Sequence, residues 1–161
     1  MYMQYPIVFS HLGLSVSDIN KAIEFYKEVF GWYHLAGPWP IKRDPEKGGG
    51  FTDTVYGPNW TAFKLAHMSA GNGVGIELLE FEGNYSPKSK IEMKRLGAFH
   101  FGILAPDLKE FVSNVEAHGG KQHSDYNIRE VNGQKREIVF VEDPFGNIIE
   151  VYNYSYEIMA T

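Results

Sequence analysis

The chain has 161 residues, 43% of them hydrophobic and 22% charged, with a net charge of −5. That composition suits a globular fold of one compact domain or two fused half-units, and the acidic balance excludes a basic nucleic-acid surface. No apolar run nears the roughly 20 residues that span a bilayer. No basic amphipathic stretch suits a membrane surface, and the absence of cysteine excludes disulfides, thiolate nucleophiles and sulfur ligands.

The first residues, Met1 to Pro6, lack the charged and apolar regions of a signal peptide, so the expected location is the cytoplasm. Ile7 to Val16 is rich in β-branched and apolar residues and reads as a strand. Asp18 follows as an N-cap. Ile19, Ala22, Ile23, Tyr26, Val29 and Phe30 then fall at helical spacing, and Gly31 stops the helix. Strands are expected at Trp32–Ala36, Thr61–Met68 and Val74–Phe81, with a Gly/Pro-rich inserted loop over 37–58. A polar segment from Ser86 to Leu96, with Pro87 at its first turn, reads as a helical linker. Beyond it come a strand at Phe99–Ala105, a cap at Asp107, and a helix with Leu108, Phe111, Val112 and Val115 on one face. Gly119-Gly120 ends that helix. A weak strand near Lys121–His123 precedes strands at Arg136–Val141 and Asn147–Tyr154, with Asp143-Pro-Phe-Gly146 as the tight turn between the last two.

These elements are one unit written twice. With His11 laid over His100, Gly13 meets Gly102, Asp18 meets Asp107, Gly31 meets Gly120 and His34 meets His123 at the same offset. The last strands echo too, Gly73-Val-Gly-Ile-Glu77 matching Gly146-Asn-Ile-Ile-Glu150. The first His-to-Glu separation is the longer of the two, which the insertion explains. The expected domains are therefore 1–85 with the insertion, a linker over 86–97, and 98–161.

Each unit contributes one His from its first strand and one Glu from its last. Alternate side chains of a strand share a face, so each can point into a common cavity. A lone strand His is more often a hydrogen-bonded core residue, and a lone Glu more often faces solvent. Here both glutamates lie inside apolar strands, where an unpaired carboxylate is costly and a metal offsets the cost. His11, Glu77, His100 and Glu150 are thus candidate metal ligands, for a hard or borderline divalent ion such as Zn, Ni, Co, Mn or Fe(II). Trp39, Tyr56 and Trp60 are candidates to line an apolar substrate pocket. His34, His67, His118 and His123 read as structural or exposed, and Arg129 and Arg136 as surface charge.

The residues His11-Leu-Gly-Leu-Ser-Val-Ser-Asp18, Phe25-Tyr26, Phe30-Gly31, Ile76-Glu77-Leu78, His100-Phe-Gly102 and Val141-Glu-Asp-Pro-Phe-Gly146 with Ile149-Glu150 resemble the vicinal oxygen chelate superfamily. That superfamily includes glyoxalase I, bleomycin-resistance proteins, methylmalonyl-CoA epimerases and extradiol dioxygenases. The resemblance implies an α+β fold: two tandem βαβββ modules forming a curved, mixed, eight-stranded sheet of half-barrels around a metal cavity. The His/Glu/His/Glu set is most similar to glyoxalase I. It implies one divalent metal ion per site (Ni, Co or Zn before Fe or Mn), a small-molecule substrate and a homodimer. It also implies lyase or isomerase chemistry, with Glu77 or Glu150 abstracting a proton next to a metal-chelated carbonyl. The alternatives within the superfamily are an Fe(II) extradiol-type dioxygenase and a non-catalytic binding protein of the bleomycin-resistance kind. Ser15 and Phe81 stand where glyoxalase I relatives carry a basic residue and an Asn that hold glutathione, so the resemblance does not extend to that co-substrate.

Overall fold

The computed structural model describes residues 6–83, 85 and 96–159, which fall into two compact units, Met1–Tyr85 and Ser86–Thr161. Most of the expected 86–97 linker, including its helix, lies outside the described residues.

The first unit runs β1 (His11–Ser15), α1 (Ile19–Phe30), β2 (Tyr33–Lys42), α2 (Phe51–Tyr56), β3 (Ala62–Ser69) and β4 (Gly75–Phe81). Helix α1 starts where expected, because the Asp18 carboxylate accepts the Lys21 N–H at 3.1 Å. It ends at Gly31, whose φ of 65° only glycine adopts at little cost. Its buried face is Ile19, Ala22, Ile23, Phe25, Tyr26 and Val29. Burying each large member contributes about 1.5–3 kcal/mol, against roughly 1 kcal/mol for the cap, so packing rather than capping holds the helix in place. The strands order as β1-β4-β3-β2, with β1 parallel to β4 and the rest antiparallel. Because side chains alternate, the sheet has two distinct faces. One carries buried Ala66, Met68, Ile76 and Leu78, and also Glu80, which accepts the Ile19 N–H of α1 at 2.7 Å. The other carries Phe63, Leu65 and His67 opposite Phe81, Leu79 and Glu77.

The second unit runs β5 (Phe101–Leu104), α3 (Leu108–Ala117), β6 (Lys121–Gln122), β7 (Asn127–Val131), β8 (Gln134–Glu142), β9 (Ile148–Tyr152) and a short α4 (Tyr156–Met159). Asp107 caps α3 by accepting the Glu110 N–H at 3.0 Å. The sheet orders β5-β9-β8-β6, with β7 added on β8 and β5 parallel to β9. Between β8 and β9 the buried Asp143 carboxylate accepts the N–H groups of Phe145 and Asn147 at 2.9 and 2.7 Å, fixing the expected turn.

The α+β class and the paired βαβββ pattern are as the sequence implies. The strands form two mixed sheets of four and five, nine strands among the described residues rather than eight. The extra one is β7, joined to β8 through Asn132 and Gly133 with φ of 53° and 74°. Asn-Gly is the favoured pair for such a two-residue hairpin, a signal the strand patterning overlooks. The expected loop over 37–58 is also corrected. Strand β2 continues to Lys42 despite Pro38 and Pro40, because it is an edge strand, where a missing N–H breaks no interior ladder. Two register shifts accompany it, and Gly37 is required there, since a Cβ would fall 2.5 Å from the Leu65 carbonyl oxygen. Among the described residues no helix is long and apolar enough to cross a membrane.

Candidate functional site

In the first unit the parallel pairing sets His11 beside Gly75 and Gly13 beside Glu77. His11 and Glu77 are therefore diagonal neighbours on one face, the face away from α1. Gly75 makes the approach feasible: a Cβ there would lie 3.1 Å from that of His11. His11 Nε2 stands 3.7 Å from Glu77 Oε2.

The second unit repeats this diagonal. Gly102 pairs with Glu150, His100 immediately precedes β5, and His100 Nε2 stands 3.4 Å from Glu150 Oε2. This pair is the more enclosed, with side chains 28% and 17% exposed against 52% and 30% for the first. Phe99 and Phe140 flank the His100 ring at centroid distances of 4.4 and 5.6 Å. His100 Nδ1 is buried without a hydrogen-bond partner among the described residues. Gly102 leaves room for Tyr152, whose hydroxyl a Cβ would strike. Burial, and then the charge of Glu150, push the Tyr152 hydroxyl pKa upward.

The geometry adds one residue. His67 lies directly across the β3–β4 pair from Glu77, its Nδ1 3.8 Å from Glu77 Oε1. Sequence patterning classes His67 as structural or exposed. The available signal was the Gly71-Asn72-Gly73 turn: a hairpin centred on Asn72 pairs residues equidistant from it, and His67 and Glu77 are such a pair.

The aromatic candidates separate. Trp39 packs its half-exposed ring against His67 at 5.8 Å, next to the carboxylate. Tyr56 packs on Phe63 and Phe81 at 5.9 and 5.3 Å, and burial, then the Glu77 charge, raise its hydroxyl pKa. Trp60 donates its Nε1–H to Asp53 at 2.8 Å, while its ring, like that of Tyr56, packs on Phe63. Asp53 also accepts two N–H groups of Arg43, at 3.0 and 2.8 Å, and the Gly49 N–H at 2.9 Å. Those bonds, Arg43 first, hold its carboxyl down to about 2. The insertion is thus organised around one carboxylate, with α2 and Trp60 hung from it.

The remaining histidines are engaged away from these pairs. His34 Nε2 sits 3.2 Å from the Ala36 carbonyl, and His118 Nδ1 2.8 Å from the Asn114 carbonyl at the end of α3. His123 pairs with Glu142 at 2.8 Å. Arg136 donates to the Ile158 carbonyl and lies 5.6 Å over the Tyr154 ring. Among the described residues no group of three or more His, Asp or Glu side chains is gathered as a preformed metal cluster. What the two units present are two matched His–Glu pairs.

The chain as a whole is similar to known proteins. Residues 8–151 match the family described as the glyoxalase/bleomycin resistance protein/dioxygenase superfamily. A lactoylglutathione lyase from Arabidopsis thaliana is 31% identical over 144 residues, covering 89% of this chain and 43% of that protein. The chain thus spans less than half the length of the curated relatives it matches. Among solved structures, a glyoxalase family protein from Bacillus cereus superposes with a TM-score of 0.72 at 18% identity, covering 95% and 97% of the two chains. The trypanothione-dependent glyoxalase I of Leishmania major gives 0.60 at 22% identity, with 96% and 91% covered.

Proposed function

Because the chain belongs to the glyoxalase/bleomycin resistance protein/dioxygenase superfamily, we propose that it is a metal-dependent lyase or isomerase of the glyoxalase type, with His11, Glu77, His100 and Glu150 as its divalent-metal ligands. The observation that carries the proposal is the repeated diagonal, His11–Glu77 at 3.7 Å and His100–Glu150 at 3.4 Å. The donors fit such an ion: imidazoles and carboxylates suit Ni, Co or Zn. Among the described residues neither glutamate has a Lys or Arg ion partner to neutralise it.

Once bound, a divalent ion supplies Lewis-acid polarisation of a substrate carbonyl. The protein's share is the proton transfer. Glu77 or Glu150 would accept the proton from the hydroxyl-bearing carbon next to that carbonyl and return it to the carbonyl carbon, while the hydroxyl proton passes to the former carbonyl oxygen, so that the product is an isomer of the substrate. Leu65, Leu79 and the half-exposed rings of Trp39 and Tyr56 lie with Glu77 on the same face. Ser15 and Phe81 lie on this face too and offer neither cation nor amide, so the proposed substrate is not a glutathione hemithioacetal. Family likeness further supports a homodimer, for which light scattering is the check.

The test is metal analysis of protein purified without affinity-resin nickel, beside a His100→Ala variant. The parent should carry Ni, Co or Zn and lose thermal stability on chelation, since an ion that binds only the folded state stabilises it. His100→Ala should lose both. Equal metal content in the two proteins would overturn the site, and kcat/KM on methylglyoxal–glutathione within the usual range of about 10⁴–10⁸ M⁻¹s⁻¹ would overturn the substrate reading.

A further inference from the structure

We propose that His67 is a positioning residue for Glu77, fixing the orientation in which that carboxylate meets a metal ion, and that the second unit has no counterpart; the inference rests on the metal reading above. The two oxygens of Glu77 face different imidazoles: Oε2 faces His11 at 3.7 Å and Oε1 faces His67 at 3.8 Å. Both separations exceed hydrogen-bond length. The His67 approach is imposed by the backbone, because the two residues are direct partners in an antiparallel pair, whose Cβ atoms stand about 4.5–5.5 Å apart. His67 is itself held. Ala36 is its partner on β2, too small to displace it, and the Trp39 ring packs against it at 5.8 Å.

No Lys or Arg side chain competes for Glu77 among the described residues. Arg43 is spent on Asp53, and Lys64 pairs with Glu80 on the opposite face of the sheet. At the matching place in the second unit Phe140 is the partner of Glu150. Phe140 packs on the His100 ring but has no hydrogen to donate to a carboxylate. A ligating carboxylate loses rotamer freedom on binding, and a donor that pre-orients it recovers part of that loss. Removing such a supporting residue typically costs 10–100-fold in metal affinity.

The experiment titrates chelator-treated protein with Co(II) alone and follows the visible absorption of the bound ion. His67→Phe copies the arrangement of the second unit. It should weaken Co(II) binding by about 10–100-fold and change the absorption bands. His67→Gln keeps an N–H donor and should recover most of the affinity. His67 is more than a third exposed, so the melting temperature of the metal-free protein should barely move in either variant. Parental affinity and spectrum in His67→Phe would overturn the proposal, as would a large loss of metal-free stability that accounts for the weaker binding. His100→Ala separates the two readings. Loss of Co(II) in His100→Ala with none in His67→Phe removes only the role of His67, whereas parental binding in both removes the metal site itself.

Discussion

The two units set a histidine beside a glutamate by the same diagonal across a parallel strand pair, His11 within β1 and His100 just before β5, yet they surround that pair differently. In the first unit Glu77 sits between two imidazoles, with the half-exposed rings of Trp39 and Tyr56 nearby. In the second unit Glu150 has one imidazole, and the remaining contacts are aromatic: Phe99 and Phe140 against His100, and Tyr152 beneath Gly102. The backbone repeat fixes where the histidine and the glutamate stand, while the neighbouring strand decides what the carboxylate faces, His67 in one unit and Phe140 in the other.

The largest expected effect tests that inequality through the glutamates. Gln keeps the shape and an oxygen donor but cannot accept a proton. The glutamate that acts as base should lose about 10²–10⁴-fold in turnover when replaced, while metal is largely retained. Glu150 has no second imidazole on its carboxylate, so Glu150→Gln should cost more than Glu77→Gln. Rates on an α-hydroxy ketone or other substrate that the metal-loaded protein turns over, measured beside metal content, give the answer. Full activity in both variants would remove proton transfer from either carboxylate.

A smaller effect sharpens the comparison in the packing under each pair. Gly13 and Gly102 are repeat-related, but a Cβ at Gly13 meets Leu79 at an ordinary 3.7 Å, whereas one at Gly102 runs into the Tyr152 hydroxyl. Gly102→Ala should destabilise by about 1–3 kcal/mol as an overpacked site, and Gly13→Ala by under roughly 1 kcal/mol. Combining Gly102→Ala with Tyr152→Leu, the arrangement of the first unit, should cost less than the two single changes together. Urea denaturation of the four variants reads this directly. Equal losses at the two glycines would mean that Tyr152 moves aside freely.

The smallest effect concerns the insertion, which only the first unit carries. The Asp53 carboxyl is depressed from 3.8 to about 2, first by Arg43 and then by the Gly49 N–H. A depressed carboxyl stabilises the state in which it is charged. Its contribution is complete above its ordinary pKa and is lost as pH falls through about 2. The Trp60 indole N–H should therefore remain protected from exchange at pH 4 and lose protection as pH approaches 2, in step with the Gly49 amide. Loss of both signals by pH 4 would separate Asp53 from the ordering of the insertion.

How far the sequence alone reaches is clear from particular elements. Asp18 and Asp107 mark helix starts because a cap is a local bond, complete within three residues. Asp143-Pro-Phe-Gly146 reads as a turn for the same reason. The His–Glu pairs were legible because a repeat displays the same positions twice. Strand β2 was not, since Pro38 and Pro40 read as loop until the chain is known to lie at a sheet edge. For Trp60 the sequence gives no sign of the hydrogen bond to Asp53, which only the fold brings together.

By itself the sequence determined both long helices, most of the strands, the internal duplication and which histidines and glutamates hold matching positions, because caps, periodicity and a repeat are all readable along the chain. The tertiary structure decided who faces whom across strands: His67 opposite Glu77, Phe140 opposite Glu150, and Trp39 against His67 rather than within the insertion. Cross-strand neighbours depend on register, and a one-residue slip sends every side chain of a strand to the other face. Register is set by turns and by packing between distant segments, so the difference between the two glutamates emerges only once the strands are paired.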